Sequence, residues 1–273
     1  MNKLFITFGF LLFFSTLYAD EAVKPYRIGA SLGYSFTGYR ETTYSPINMY
    51  LNSLTFIIDG NIEKDKFLHS LNMGFFMGNS EKATGTSAVL GQSFDPVERE
   101  PYYTASIQQY LAIRAYLEYA LNYRLWGNDT FPGYLGGSFR TDAYLQFANY
   151  PSITGLFSLG LHATQKWNIN AENSLSLSIG LPFFGYAVRP PYAGADAALM
   201  KYAAESPMKI ITLGEFLSLH NYWALFGDLK YHHKVNTLIS LYSGLGFELS
   251  RINVPRPRID AIFRLSSGIA FTF

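Results

Sequence analysis

The chain contains no cysteine, so it has no disulfide framework, no thiolate metal site and no lipid-modified cysteine behind an export segment. Charge is scarce too. Asp, Glu, Lys and Arg make up 15% of the residues, against about 25% in an ordinary soluble domain. The formal net charge is +1, so no field of either sign points to nucleic acid. Beyond the N-terminus no run approaches the ~20 apolar residues that a membrane-spanning helix needs. There is no internal repeat and no linker to a second domain. The 23 glycines are scattered, and no glycine-rich phosphate loop follows a strand. What is abundant is aromatic: 17% of the chain is Phe, Trp or Tyr. An aromatic-rich, charge-poor chain without long apolar runs suits a membrane barrel, in which apolar residues hold alternate positions.

The N-terminus has the anatomy of a secretory signal peptide. Lys3 supplies a basic start, Leu4–Phe14 is unbroken apolar sequence, and Ser15–Ala19 leads to a cleavage site before Asp20. Leu17 stands where a small residue is preferred, which leaves the cut position open. The expected division is therefore 1–19 as an export signal and 20–273 as the folded unit.

Alternation runs through the rest. From Ile259 the odd positions include Phe263, Leu265, Ile269, Phe271 and Phe273, while the even ones include Asp260, Arg264, Ser266, Gly268 and Thr272. Period two with one apolar face is a strand. The same pattern recurs at Leu135–Phe147, Ser174–Phe183, Ile239–Leu249 and Ile107–Asn122. The opposing face carries Ser, Gly, Tyr and isolated charges rather than the Lys and Glu of a soluble surface.

The last strand resembles the C-terminal assembly signal of bacterial outer-membrane barrels, a terminal aromatic preceded by apolar residues at alternate positions. That resemblance is to a class, not to one family. It implies a single antiparallel transmembrane β-barrel in the bacterial outer membrane, in contact with outer-membrane lipid. It also implies that Phe263, Leu265, Ile269, Phe271 and Phe273 are read by the barrel-assembly machinery.

The strands expected are 25–38, 50–62, 67–79, 103–124, 133–148, 153–168, 174–187, 209–234, 238–250 and 259–273. Ten is even, as termini on one side of the membrane require. The 209–234 stretch exceeds the ~9–11 residues of one crossing. It either extends beyond the membrane or holds a hairpin near His220–Asn221, which would lead to twelve strands. Glu63–Lys66, Asn168–Asn173 and Lys234–Thr237 read as short periplasmic turns. Tyr39–Met49, Ser80–Tyr102, Arg189–Met208 and Arg251–Arg258 read as extracellular loops. Within the third loop, Ala193–Ala204 has helix-forming composition. Trp126 and Trp167 fall at strand ends, where aromatic girdles form.

Parity places thirteen charges in the lumen. They are Arg27, Arg114, Arg124, Arg140, Lys166, Lys230 and Arg264, with Asp59, Glu118, Asp142, Asp228, Glu248 and Asp260. In a narrow barrel such groups must pair, because an unpaired buried charge costs several kcal/mol. The set reads as a salt-bridged polar filling, or as the lining of a small selective pore. Ten strands exclude a wide porin lumen, which takes about 16.

Chemistry is less well marked. Ser218 and His220 lie two apart on one strand face, a nucleophile and base without an evident orienting acid, since Glu215 has the opposite parity. Asp228, Lys230 and His232 share the inner face and read as a structural ion pair with a neighbour. His232 and His233 point to opposite faces and are no metal motif. No pattern calls for a metal or another cofactor. Phe94–Glu100, Arg189–Tyr192 and Val254–Arg258 are outward loop segments that suit either a surface ligand or a packed cap. Three functions follow in order: a structural barrel or small selective channel, a lipid-modifying or hydrolytic barrel enzyme, and a surface binding or adhesion protein. The oligomeric state stays open.

Overall fold

Side chains that alternate in polarity must alternate in environment, and in this chain the two environments are the inside and outside of a closed sheet. The computed structural model describes residues 26–41, 48–82, 91–94, 101–104, 111–147, 151–189, 205–206 and 214–273. The export segment 1–19, most of Phe94–Glu100, Ile107, Pro190–Tyr192 and Ala193–Ala204 lie outside them. The strands are β1 (Tyr26–Glu41), β2 (Met49–Lys64), β3 (Phe67–Lys82), β4 (Gly91–Phe94), β5 (Pro101–Thr104), β6 (Leu111–Trp126), β7 (Gly133–Phe147), β8 (Pro151–Asn168), β9 (Asn173–Val188), β10 (Glu215–Ser218), β11 (Tyr222–Lys234), β12 (Ile239–Ile252) and β13 (Arg258–Thr272).

β4 and β5 form a hairpin of their own. The long strands pair antiparallel around a ring in the order β1-β2-β3-β6-β7-β8-β9-β11-β12-β13, and β13 returns to β1. The result is a closed ten-stranded barrel with β10 paired to β9 alone. Closure pairs the strands around the ring, as a wall facing lipid requires, except at the seam where β9 and β11 part.

Two expectations are corrected. The stretch expected as one strand over 103–124 is divided, because Tyr103 and Thr104 pair with β4 while the barrel strand β6 begins at Leu111. The 209–234 stretch does turn, at Leu219–Asn221, but it makes no hairpin. β10 and β11 both run antiparallel to β9, so the chain continues in one direction after an excursion and the count stays at ten.

One end of the barrel is built from short turns. Asp65 takes a positive φ of 55° in the β2–β3 turn, a conformation that Asp tolerates. The other three turns at this end share one device. The side-chain oxygens of Asn128, Asn170 and Asn236 each accept two backbone N–H groups two and three residues ahead. Tyr26 and Phe273 meet at this same end, where the Phe273 N–H donates to the Tyr26 carbonyl at 2.9 Å.

The outward belt is apolar: Leu32 is 70% exposed and Leu54 66%, while Ser31, Ser35, Ser53 and Thr55 between them are buried. Trp126 and Trp167 face outward near the turn end, and Trp223 faces outward near the loop end. The inward face is not uniformly polar. Towards the loop end it is filled by two apolar clusters. One joins Leu156, Ala187, Leu217, Tyr222, Ala224, Phe226 and Ile252, and the other joins Tyr39, Leu51, Ala112 and Tyr144. Parity separates inside from outside, but it does not say which inward residues meet across the barrel.

Candidate functional site

A layer of ion pairs crosses the lumen. Arg114 on β6 sends Nη2 to Asp142 Oδ1 and to Glu248 Oε1, both at 2.6 Å. β6 and β12 stand five places apart in either direction around the ring, so the Arg114–Glu248 bond spans the barrel's diameter. Arg140 on β7 reinforces it, with Nε on Asp142 at 2.8 Å, Nη2 on Glu248 at 2.8 Å and Nη1 on Glu118 at 3.4 Å. Its guanidinium lies 3.8 Å from the Phe226 ring centre and 4.4 Å from that of Tyr116. Arg264 on β13 binds Asp228 and donates to the Tyr116 hydroxyl at 3.4 Å.

Glycines make the room. A Cβ on Gly74 would lie 2.2 Å from the Tyr116 ring, and one on Gly246 would lie 2.5 Å from Arg264 Nη2.

Below this layer, towards the turn end, lies a polar vestibule of about 260 Å³. At its inner end stand Glu118, Asp228 and His162. The His162 ring bonds the Asn122 carboxamide through Nδ1 at 3.0 Å and holds Nε2 3.9 Å from Glu118. Nearer the mouth, Asp59 is buried between Lys230 at 3.2 Å, the Tyr242 hydroxyl at 2.8 Å and Arg27 at 3.8 Å. Lys166 reaches Glu63 at 2.5 Å, and Tyr134 donates to the same carboxylate. Arg27 Nη1 donates to His232 Nε2 at 3.2 Å, so that ring nitrogen carries no proton.

Above the layer, among the described residues, lie the two apolar clusters. A void of about 10 Å³ remains beside Arg258, Tyr144 and Asp260. Arg258 holds Asp260 through two parallel bonds of 2.8 and 3.0 Å and lies 4.4 Å from the Tyr144 ring centre. Arg258, expected in an outward loop, is therefore an interior residue of β13. Arg189, also expected in an outward loop, is buried and donates to the carbonyls of Val254 and Arg256 at 2.7 and 3.1 Å.

The thirteen charges named from parity thus fall into separate groups. Arg114, Glu118, Arg140, Asp142, Asp228, Glu248 and Arg264 form the layer. Arg27, Asp59, Lys166 and Lys230 line the vestibule. Asp260 sits above with Arg258. Arg124 is at the rim, paired at 3.0 Å with the exposed Asp129. Sequence reasoning missed Glu63, because it was assigned to a turn. Extending β2 by its own parity from Asp59 finds it. The partners Tyr116, Tyr134 and Tyr242 carried no signal that set them apart from other inward tyrosines.

Phe263, Leu265, Ile269, Phe271 and Phe273 all point outward, each at least 42% exposed. Ser218 Oγ and His220 Nδ1 lie 2.5 Å apart at the turn between β10 and β11. Among the described residues no carboxylate bonds the His220 ring, and Glu215 is exposed on β10. Among the described residues the pair has no third, orienting member of the kind a catalytic triad holds.

No protein-family model matches the chain, and no curated protein matches its sequence. Solved structures do match in shape. The outer membrane protease OmpT from Escherichia coli superposes with a TM-score of 0.51 at 6% identity, over 93% of this chain and 99% of that one. The fold is that of a bacterial outer-membrane β-barrel. Two further barrels align less closely. An outer membrane channel from Pseudomonas putida F1 gives a TM-score of 0.44 at 11% identity, covering 94% of this chain and 98% of its own. The translocator domain of the autotransporter NalP from Neisseria meningitidis gives 0.45 at 11% identity, covering 98% and 95%. At these identities the likeness speaks to the fold and not to what the chain does.

Proposed function

We propose that the chain is a small integral outer-membrane barrel with a closed lumen, its short-turn end and both termini on the periplasmic side. The observation that carries this reading is the Arg114–Glu248 bond across the barrel's diameter, backed on the extracellular side by the two apolar clusters of the described residues. An ion passing the layer would have to displace charge-assisted bonds in a site of low dielectric, where each is strong. The apolar belt and the aromatic residues at both ends support the membrane setting. The interior then acts as a fixed scaffold, not as a sieve.

Single-channel recording tests the proposal. The refolded protein in a planar bilayer is expected to show no steady conductance. Arg114→Ala combined with Arg140→Ala is expected to open a small ohmic one, because it removes both cations that bridge to Glu248. A steady conductance of the unaltered protein overturns the proposal.

A further inference from the structure

At the mouth of the vestibule cations outnumber carboxylates, while the deeper wall adds Glu118 and Asp228. Around His232 at the mouth stand three cations, Arg27, Lys166 and Lys230, against two carboxylates, Asp59 and Glu63. Lys166 and Lys230 each hold a carboxylate directly, at 2.5 and 3.2 Å. Arg27 does not. Among the described residues its nearest carboxylate oxygen is 3.8 Å away, on an Asp59 already held by Lys230 and Tyr242, and its one hydrogen-bond partner is the neutral acceptor nitrogen of His232. The Arg27 Nε–H is buried without a partner, while Nη2 makes no hydrogen bond among the described residues and a quarter of the side chain stays open. A guanidinium so placed keeps Nη donors available on its open edge, and such edges suit carboxylate and phosphate oxygens.

The rest of the wall fits the same ligand. Ser174, Ser176 and Asn61 offer neutral donors around the mouth. The carboxylates Glu118 and Asp228 lie at the inner end, where Arg140 and Arg264 from the ion-pair layer compensate them. A cavity of about 260 Å³ takes a phosphate or a small organic acid, but not a folded partner.

We propose that the vestibule is a binding site, entered from the turn end, for a small oxyanion, with Arg27 as the primary contact and Lys166 and Lys230 as the flanking positive charges. The oxyanion is either a free phosphate or carboxylate, or the phosphate of a lipid headgroup reaching in from the inner leaflet. The inference does not depend on the closed lumen. A barrel that conducts can still hold an anion at this place, and a closed one can fail to.

The test is calorimetric titration of the refolded protein in a zwitterionic detergent without phosphate, using inorganic phosphate, then succinate, then glucose, each at constant ionic strength. Saturable heat is expected with phosphate or succinate and not with glucose, and the affinity is expected to fall as salt rises. Arg27→Gln is expected to weaken binding about tenfold or more, the loss of a charge-assisted pair, and Arg27→Lys is expected to recover part of it. Lys234→Gln, at an exposed turn-end cation away from the cavity, is expected to change nothing. A circular dichroism spectrum of each variant separates lost binding from lost folding, and Lys166→Gln gives a second reading if Arg27→Gln does not refold. Vesicles with and without anionic phospholipid distinguish the sources. If the site takes headgroups, anionic lipid competes with phosphate. If it takes only free anions, titration is the same in both. Absence of saturable heat with every anion, or equal binding of glucose, overturns the proposal.

Discussion

Arg140 collects more of the interior than any other residue of the layer. Three carboxylates and two aromatic faces converge on one guanidinium, which the planar fork of Arg accommodates and the point charge of Lys would not. Removing it leaves Glu118, Asp142 and Glu248 with only Arg114 between them. Breaking a buried pair by deleting one partner costs about 3–5 kcal/mol. Arg140→Met, which keeps the bulk beside Phe226 and Tyr116, is therefore expected to lower the stability of the protein in lipid vesicles by that order, measured by urea unfolding followed through tryptophan fluorescence. Glu248→Gln retains a hydrogen-bond acceptor and is expected to cost less. Parity was enough to find Arg140, Asp142 and Glu248. It could not pair Arg140 with Glu248, because the two are 108 positions apart and meet only through barrel closure.

At the scale of elements, the wall has one irregular seam. β9 and β11 pair from Asn173–His233 up to Gly180–Phe226 and then part. Above that point Pro182 has no N–H to give, and Phe183 is bulged out of the β8–β9 register. Phe183 and Phe184 therefore both face outward, and the inward parity passes to Gly185 and Ala187. β10 fills the widened gap along β9, with Leu217 fully buried against the inner apolar cluster and Phe216 outside. Its link towards β11 is the Asn221 side chain, whose Oδ1 accepts from the Ser218 N–H at 2.8 Å and whose Nδ2 donates to the Phe216 carbonyl at 3.2 Å. Asn221→Ala is expected to destabilise this seam by about 1–3 kcal/mol, the cost of leaving its partners unmet. Hydrogen exchange should accelerate at 215–218 while the amides of β12 and β13 keep their protection. Equal acceleration across the barrel would show that β10 has no independent stability. The length of the 209–234 stretch pointed to an interruption near His220. That both pieces run the same way was not legible, since direction depends on what β9 offers as a partner.

At the scale of the whole molecule, the outward belt fixes the solvent. Leu32 lies midway along β1, among the most exposed apolar side chains of the belt. An arginine at a lipid-facing midplane position costs about 2–4 kcal/mol, falling towards zero near the interfaces. Leu32→Arg is accordingly expected to reduce the folding free energy into bilayers by that amount. Val235→Arg, in a turn at the barrel's end, is expected to have little effect. Equal costs at both positions would argue against a membrane setting. The interior is divided along the same axis, with a hollow polar half at the turn end, a charged layer, and a packed apolar half towards the loops.

The sequence by itself determined the class of fold, an even strand count of ten or twelve, the face most strands turn outward and most of the charges that enter the lumen. Those features follow from a period of two and from turn chemistry, both of which are local. Only the tertiary structure decided which charges meet, that Arg114 and Glu248 join across the lumen, that Arg258 and Arg189 are interior rather than outward, and that Arg27 stands part-exposed beside a cavity. Those depend on how ten strands close into a ring, which sets the neighbour across the barrel for every inward residue. Alternation within a single strand contains no trace of that neighbour.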